Sequence, residues 1–313
     1  MNNISEVAAN VRSASWFYTN SVSKSKSAVK VEKERQNLIK TIEEAQVEVA
    51  KNGSFEGISY YKDSVLSFLK TYKEVIVVDY ENIKSIELNA KHKFDLKDKY
   101  IQAKEDANSK MLQASDMLDA VESRFATENK VKLLVTKSKV AERLKKANKV
   151  YKYYNSVFLL FFKPYYEEAL FLQDLDSANI EQMEFHNIEL AAFTKANLSM
   201  LDLKLDFDGD NSLVNSCKNV LLFYQSEAEK DFLKIIEFQK FKAAYKKTKS
   251  DLEAKSSSER AKGEVAAFNK LVEEYNQRMN EYNQLILDLN TKRETLINSW
   301  NIIGSDFEDK HLN

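Results

Sequence analysis

No glycine or proline interrupts the chain between Gly57 and Pro164. These two residue types end helices and make tight turns, and only five glycines and one proline occur among 313 residues. A fold of many short strands lacks the residues for its turns, whereas helices can run well past the usual length of about 11 residues. The expected fold class is therefore all-α, with long antiparallel helices forming two tandem, duplicated helical-bundle units of coiled-coil type. The remaining breakers, at Gly53 to Gly57, Pro164, Gly209, Gly263 and Gly304, place helices at about 6–51, 59–94, 97–162, 165–204, 211–254 and 261–303. Further breaks are expected near Asn129 and Ser177.

The last of these helices carries the clearest pattern. Val265, Phe268, Val272, Tyr275, Met279, Tyr282, Ile286, Leu289, Leu296, Trp300 and Ile303 follow steps of three and four, broken only by Arg293. Such a stripe predicts a buried bundle seam. Asn269, Asn276, Asn283 and Asn290 run beside it seven residues apart, either as a register-setting polar ladder or as a solvated flank.

An internal repeat sets the domain reading. Tyr18-Thr19-Asn20-Ser21-Val22 returns as Tyr153-Tyr154-Asn155-Ser156-Val157, and Ser54 to Gly57 returns as Asp206 to Gly209. Tyr61, Val65, Phe68 and Tyr72 match Leu213, Cys217, Val220 and Tyr224 at one constant offset. The units are expected at 12–135 and 147–304, the second with an insertion near Pro164.

Composition narrows the function classes. Basic and acidic residues nearly cancel to a net charge of −1, which suits mixed-charge helix surfaces and gives no reason to expect a nucleic-acid partner. The longest apolar run, Val157 to Phe162, falls far short of the roughly 18 residues a spanning helix needs. Met1 to Arg12 lacks the pattern of a secretory leader.

No motif specifies catalysis. Asp206, Asp208 and Asp210 start like a calcium loop, but glycine falls at the fourth place and the twelfth is Cys217, so a turn with Asp210 or Asn211 capping a helix is expected. Glu308 and His311 have the E-x-x-H spacing of a di-iron ligand pair, which would need a second copy. His92 and His186 read as surface residues, and Cys217, on the repeated apolar stripe, reads as an inert core thiol. No metal, cofactor or catalytic residue is expected.

From Lys130 to Lys152 nine basic residues face one acid, Glu142, and an aromatic segment follows. Lys145, Lys146, Lys149, Tyr153, Tyr154, Phe158, Phe161 and Phe162 are thus candidate interaction or junction residues, with at most weak peripheral attraction to anionic lipid. The competing reading is a solvated face running into packed aromatics.

Several stretches together are similar in wording to uncharacterised surface proteins, often lipoproteins, of Gram-negative bacteria. They are Lys152 to Asn155 with Tyr165, Ala169 to Asn179, Phe207 to Tyr224, Phe268 to Asn290, and Trp300 to His311. They span about half the chain, and the first unit joins them only through the repeat. The resemblance implies an exported or cell-surface protein with no assigned activity. No lipid-attachment cysteine precedes the first unit, so anchoring would depend on a leader outside this sequence. The expected function is a non-enzymatic scaffold whose helix faces meet an unknown protein, a surface component or a second copy. The alternatives are a membrane-active helical protein, pore-forming or membrane-remodelling, and a cytoplasmic coiled-coil adaptor.

Overall fold

The computed structural model describes residues 2–23, 28–53, 58–83, 94–131 and 139–312. Among them the chain is all-α: α1 Asn2–Ser23, α2 Ala28–Lys51, α3 Tyr60–Glu74, α4 Phe94–Glu128, α5 Lys139–Ser177, α6 Ile180–Asp202, α7 Ser212–Ser226, α8 Phe232–Glu253 and α9 Lys262–Leu312. No strand occurs among the described residues, although Phe207 and Asp210 form an isolated bridge. The chain divides into two compact units, residues 1–152 with 311–313, and residues 153–310. The division falls inside α5 rather than in a linker between 135 and 147. The repeated turn at Ser54 to Gly57 and His92 lie outside the described residues.

Helix ends differ from the breaker-based expectation in three places. Pro164 does not end a helix, because α5 runs through it to Ser177. Proline has no N–H to give the carbonyl four residues back, and here the Asn197 side-chain amide donates to the Leu160 carbonyl instead, at 2.8 Å. Gly304 lies inside α9, where a Cβ would stand 3.3 Å from the Tyr154 ring, so close packing rather than a turn explains this glycine. The expected 6–51 helix is found as two helices, α1 and α2, whereas the further breaks expected near Asn129 and Ser177 are present, α4 stopping at Glu128 and α5 at Ser177. Both stops are chain reversals in which Lys130 and Ala178 take a left-handed conformation, at φ 53° and 55°. Val131 N–H donates to the Ala126 carbonyl, and Asn179 N–H to the Asp174 carbonyl, closing the last turns.

Within the first unit the core combines Val11 and Tyr18 of α1, Leu38 and Ile42 of α2, Val65 and Phe68 of α3, and Phe125 of α4. Around Tyr72 the Arg12 guanidinium pairs with Asp119. A π-turn at Val75–Asp79 follows α3 directly. Arg35 of α2 donates to the Ile76 carbonyl at 3.1 Å, and its other nitrogens bind Glu32 and Glu81, both at 3.0 Å.

In the second unit the 15-residue α7 is likewise followed by a five-residue π-turn, Glu227–Asp231. Both the starts of α3 and α7 and the starts of the two π-turns are separated by the offset that relates Tyr61, Val65, Phe68 and Tyr72 to Leu213, Cys217, Val220 and Tyr224. All eight of those residues are buried. Ser21 and Ser156 repeat one local bond, each hydroxyl donating to the carbonyl three residues back, of Tyr18 and Tyr153.

The seam of α9 is buried only in part. No residue between Gln239 and Leu289 is buried, although Phe268, Val272, Tyr275, Met279, Tyr282 and Ile286 are half-covered. Over this stretch α8 and α9 form an antiparallel hairpin, zipped by Phe238 on Tyr282 at 4.5 Å and Tyr245 on Tyr275 at 4.1 Å. Near the tip Lys255 meets Glu264 at 2.6 Å. Two helices cover one side of each other's stripe and leave the rest to solvent, so the expected enclosed seam exists only from Leu289 onward.

Candidate interaction surface

The polar groups with the most perturbed environment are sealed inside the second unit. Arg293, the residue that interrupts the α9 stripe, turns inward. Its guanidinium pairs with Glu168 of α5 and, at 2.6 Å, with Glu227 of the π-turn. Both carboxylates are buried. Burial, and next the Glu168 charge, hold the Glu227 carboxyl far above the usual carboxylate range, and Arg293 offsets this only in part. One guanidinium serves two carboxylates, which favours the protonated form of Glu227. The Tyr224 hydroxyl lies against Glu168 and is pushed well above its ordinary value by burial first and by that carboxylate second. Tyr224, Glu168 and Glu227 are all buried, and the Tyr224 hydroxyl and Glu227 Oε2 find no hydrogen-bond partner among the described residues.

His186 is not the loose surface residue expected from sequence. Its Nδ1 lies 2.9 Å from Glu167 and its Nε2 3.5 Å from Asp174, with all three side chains mostly covered. Among the described residues no group of three or more histidine, cysteine, aspartate or glutamate side chains is arranged to hold a metal ion. Asp210 behaves as a turn and cap residue: its Oδ1 accepts from Ser212 N–H at 2.9 Å, and its other oxygen from Lys310 at 2.7 Å. Cys217 is fully buried, its thiol pushed up to about 12 by burial.

The residues singled out from sequence divide between the two units. Lys145 lines a shallow cleft of the first unit with Ser15, Tyr72 and Tyr151, and its ammonium lies 2.5 Å from Asp116. Lys146 and Lys149 are both exposed. In the second unit Tyr153 donates to the Leu205 carbonyl at 3.0 Å and stacks on Phe307 at 5.6 Å. Phe161 is buried against Trp300 with centroids 4.6 Å apart, Tyr154 stacks on the same indole at 6.4 Å, and Phe158 stacks on Phe162 at 5.3 Å. Of the five aromatic residues singled out, Phe161 is buried and the other four are half-buried.

Sequence reading missed the outward face of α6, a helix that is apolar on two faces. Its buried face carries Asn187, Thr194 and Asn197 among Met183, Leu190 and Leu201. Its outward face carries Phe185, Ile188, Ala192, Ala196, Met200 and Leu203, spaced by three or four residues, all exposed. The four large ones are 52%, 66%, 57% and 83% exposed, in chain order. Asn197 is explained by the Leu160 carbonyl, whereas Asn187 Oδ1 and the Thr194 hydroxyl find no partner among the described residues. The signal was available as a helix apolar on two faces, but a stripe alone does not say which face is turned inward.

The fold and these sites define the class, an all-α helical-bundle protein. No protein-family model matches the chain, and no curated protein or solved structure matches it either.

Proposed function

We propose that the protein is a non-enzymatic helical scaffold, working outside the cytoplasm and made of two copies of one bundle unit, which acts by presenting helix faces to a binding partner. The observation that carries the reading is the outer face of α6: a row of apolar side chains at helical spacing is turned to solvent while polar side chains are turned inward. A monomer gains nothing from that arrangement, and contiguous apolar surface of this kind marks interaction sites. Two further features agree with it. The strongly perturbed groups are closed off from substrates, and the shared offset of the π-turns supports descent of both units from one ancestral copy. Surface display is the part of the reading that rests on family resemblance.

The rival membrane-active reading has little material. No described helix is long and apolar enough to cross a membrane, and Val157, Leu160 and Phe161 of the apolar run are already buried. Dye release from liposomes separates the two. At physiological salt no leakage is expected from neutral or anionic vesicles. Leakage that persists after Lys145→Glu, Lys146→Glu and Lys149→Glu would overturn the scaffold reading.

A further inference from the structure

We propose that the outer face of α6 is a homodimer interface, in which two copies of the chain pair this helix antiparallel across a two-fold axis passing beside Ala192. The inference rests on the scaffold reading and names the partner.

The self-complementarity can be read along the helix. An antiparallel pair centred at Ala192 brings Ile188 to the level of Ala196 of the second copy, and Phe185 to within one residue of the level of Met200, with each contact occurring twice. Large thus meets flexible or small, and the thioether of Met200 suits an aromatic edge. At the centre Ala192 faces Ala192, so the two backbones can approach closely. The same register sets Glu189 level with Lys195, and brings Glu181 to the end of the second copy's helix that Lys204 follows, two residues past its last residue. These four charged side chains make no ion pair among the described residues, whereas the neighbouring Glu184 and Asp202 are taken by Lys240 at 2.5 Å and Lys218 at 2.7 Å. The unpaired charges therefore sort by end, acidic in the first half of α6 and basic in its second half and just beyond it. A parallel pair would set like charges level, and an antiparallel pair sets opposite ones level. The helix dipoles favour the same orientation. A helix of 23 residues, about 34 Å long, supplies one compact contact, which fits a dimer that forms in the micromolar range.

The experiment uses the full chain in sedimentation equilibrium from about 1 to 200 µM. The expected result is a monomer–dimer equilibrium. Ala192→Glu, at an exposed position where two like charges would meet on the axis, should leave the protein monomeric with unchanged circular dichroism. Glu189→Lys alone should weaken the dimer at least about tenfold, and adding Lys195→Glu to it should restore the affinity, because each reversed charge then finds its opposite on the second copy. Oxidised Ala192→Cys should form a covalent dimer. A chain that stays monomeric across the range, or a dimer indifferent to Ala192→Glu, overturns the proposal. So does a charge reversal that the second substitution fails to rescue. None of these outcomes bears on vesicle leakage, so failure here is distinguishable from failure of the scaffold reading.

Discussion

The side-chain amide of Asn197 on α6 donates to the main-chain carbonyl of Leu160 on α5, the carbonyl that Pro164 leaves without its own helical partner. A defect in one helix is thus answered by a polar residue on the inward face of its neighbour. Asn197→Leu should cost about 1 to 3 kcal/mol, the penalty for a buried carbonyl left unpaired. In a Pro164→Ala background, where the main-chain N–H at 164 is restored, the same substitution should cost clearly less. Urea unfolding of the four proteins in the cycle checks it, and additive costs would refute the pairing.

Removing Arg293 leaves Glu168 and Glu227 facing each other without a cation. Arg293→Met should destabilise by about 3 to 5 kcal/mol, as for a broken buried pair. It should do so more at pH 8 than at pH 5, because the two carboxyls can take up protons at the lower pH.

Glu227 also sets a pH dependence whose sign is determined. Its folded value is raised, so the folded state holds a proton that the unfolded chain releases above about pH 4.3. The stability linked to this group is fully present below that pH and falls steadily as pH rises through neutrality toward the folded value. Glu227→Gln should flatten this slope and make the protein more stable at pH 8. Denaturation midpoints from pH 4 to 9 for both proteins test it, and parallel curves would exclude a proton on Glu227.

Cys217 is buried, its thiol raised to about 12 by that burial, and its sulfur lies 3.9 Å from the Val157 carbonyl. A neutral aqueous thiol reagent should modify it only at the rate of unfolding. Labelling within seconds in native buffer would show that the core around α7 opens locally.

The hairpin of α8 and α9 should loosen independently of the core it joins. Tyr245→Ala removes rings stacked at 4.1 and 5.9 Å, on Tyr275 and Phe268. Amide exchange should quicken between about residues 240 and 285 while α7 keeps its protection. Uniform acceleration across the second unit would mean that hairpin and core unfold together.

The all-helical class was legible because one proline and five glycines leave few other options. The apolar stripe of α3 and α7 was legible too, since its spacing reports a buried face whatever covers it. Helix ends were less so. The breaks near Asn129 and Ser177 were legible, but the left-handed residues that make them, Lys130 and Ala178, are not the glycine that such positions ordinarily favour, so their exact place was not. Pro164 misled in the other direction, because its tolerance depends on an asparagine far along the chain. The long stripe of α9 was read as enclosed, but periodicity gives the direction of a face and not the number of helices that close over it. Arg293 showed only as an interruption, although it is the hub of the buried cluster. The outward face of α6 was hidden by the habit of assigning apolar residues to the interior.

The π-turns after α3 and α7 bear on what kinds of genetic change this chain can absorb. Inserting or deleting one residue in a regular helix rotates everything beyond it by about 100°, which would carry a buried stripe to the outside. A π-turn already holds one surplus residue, so a deletion within Val75–Asp79 or Glu227–Asp231 can be taken up by tightening the turn into ordinary helix while the flanking faces keep their phase. Single-codon losses should therefore be survivable at these two places and damaging at almost any other point along the helices that bear them.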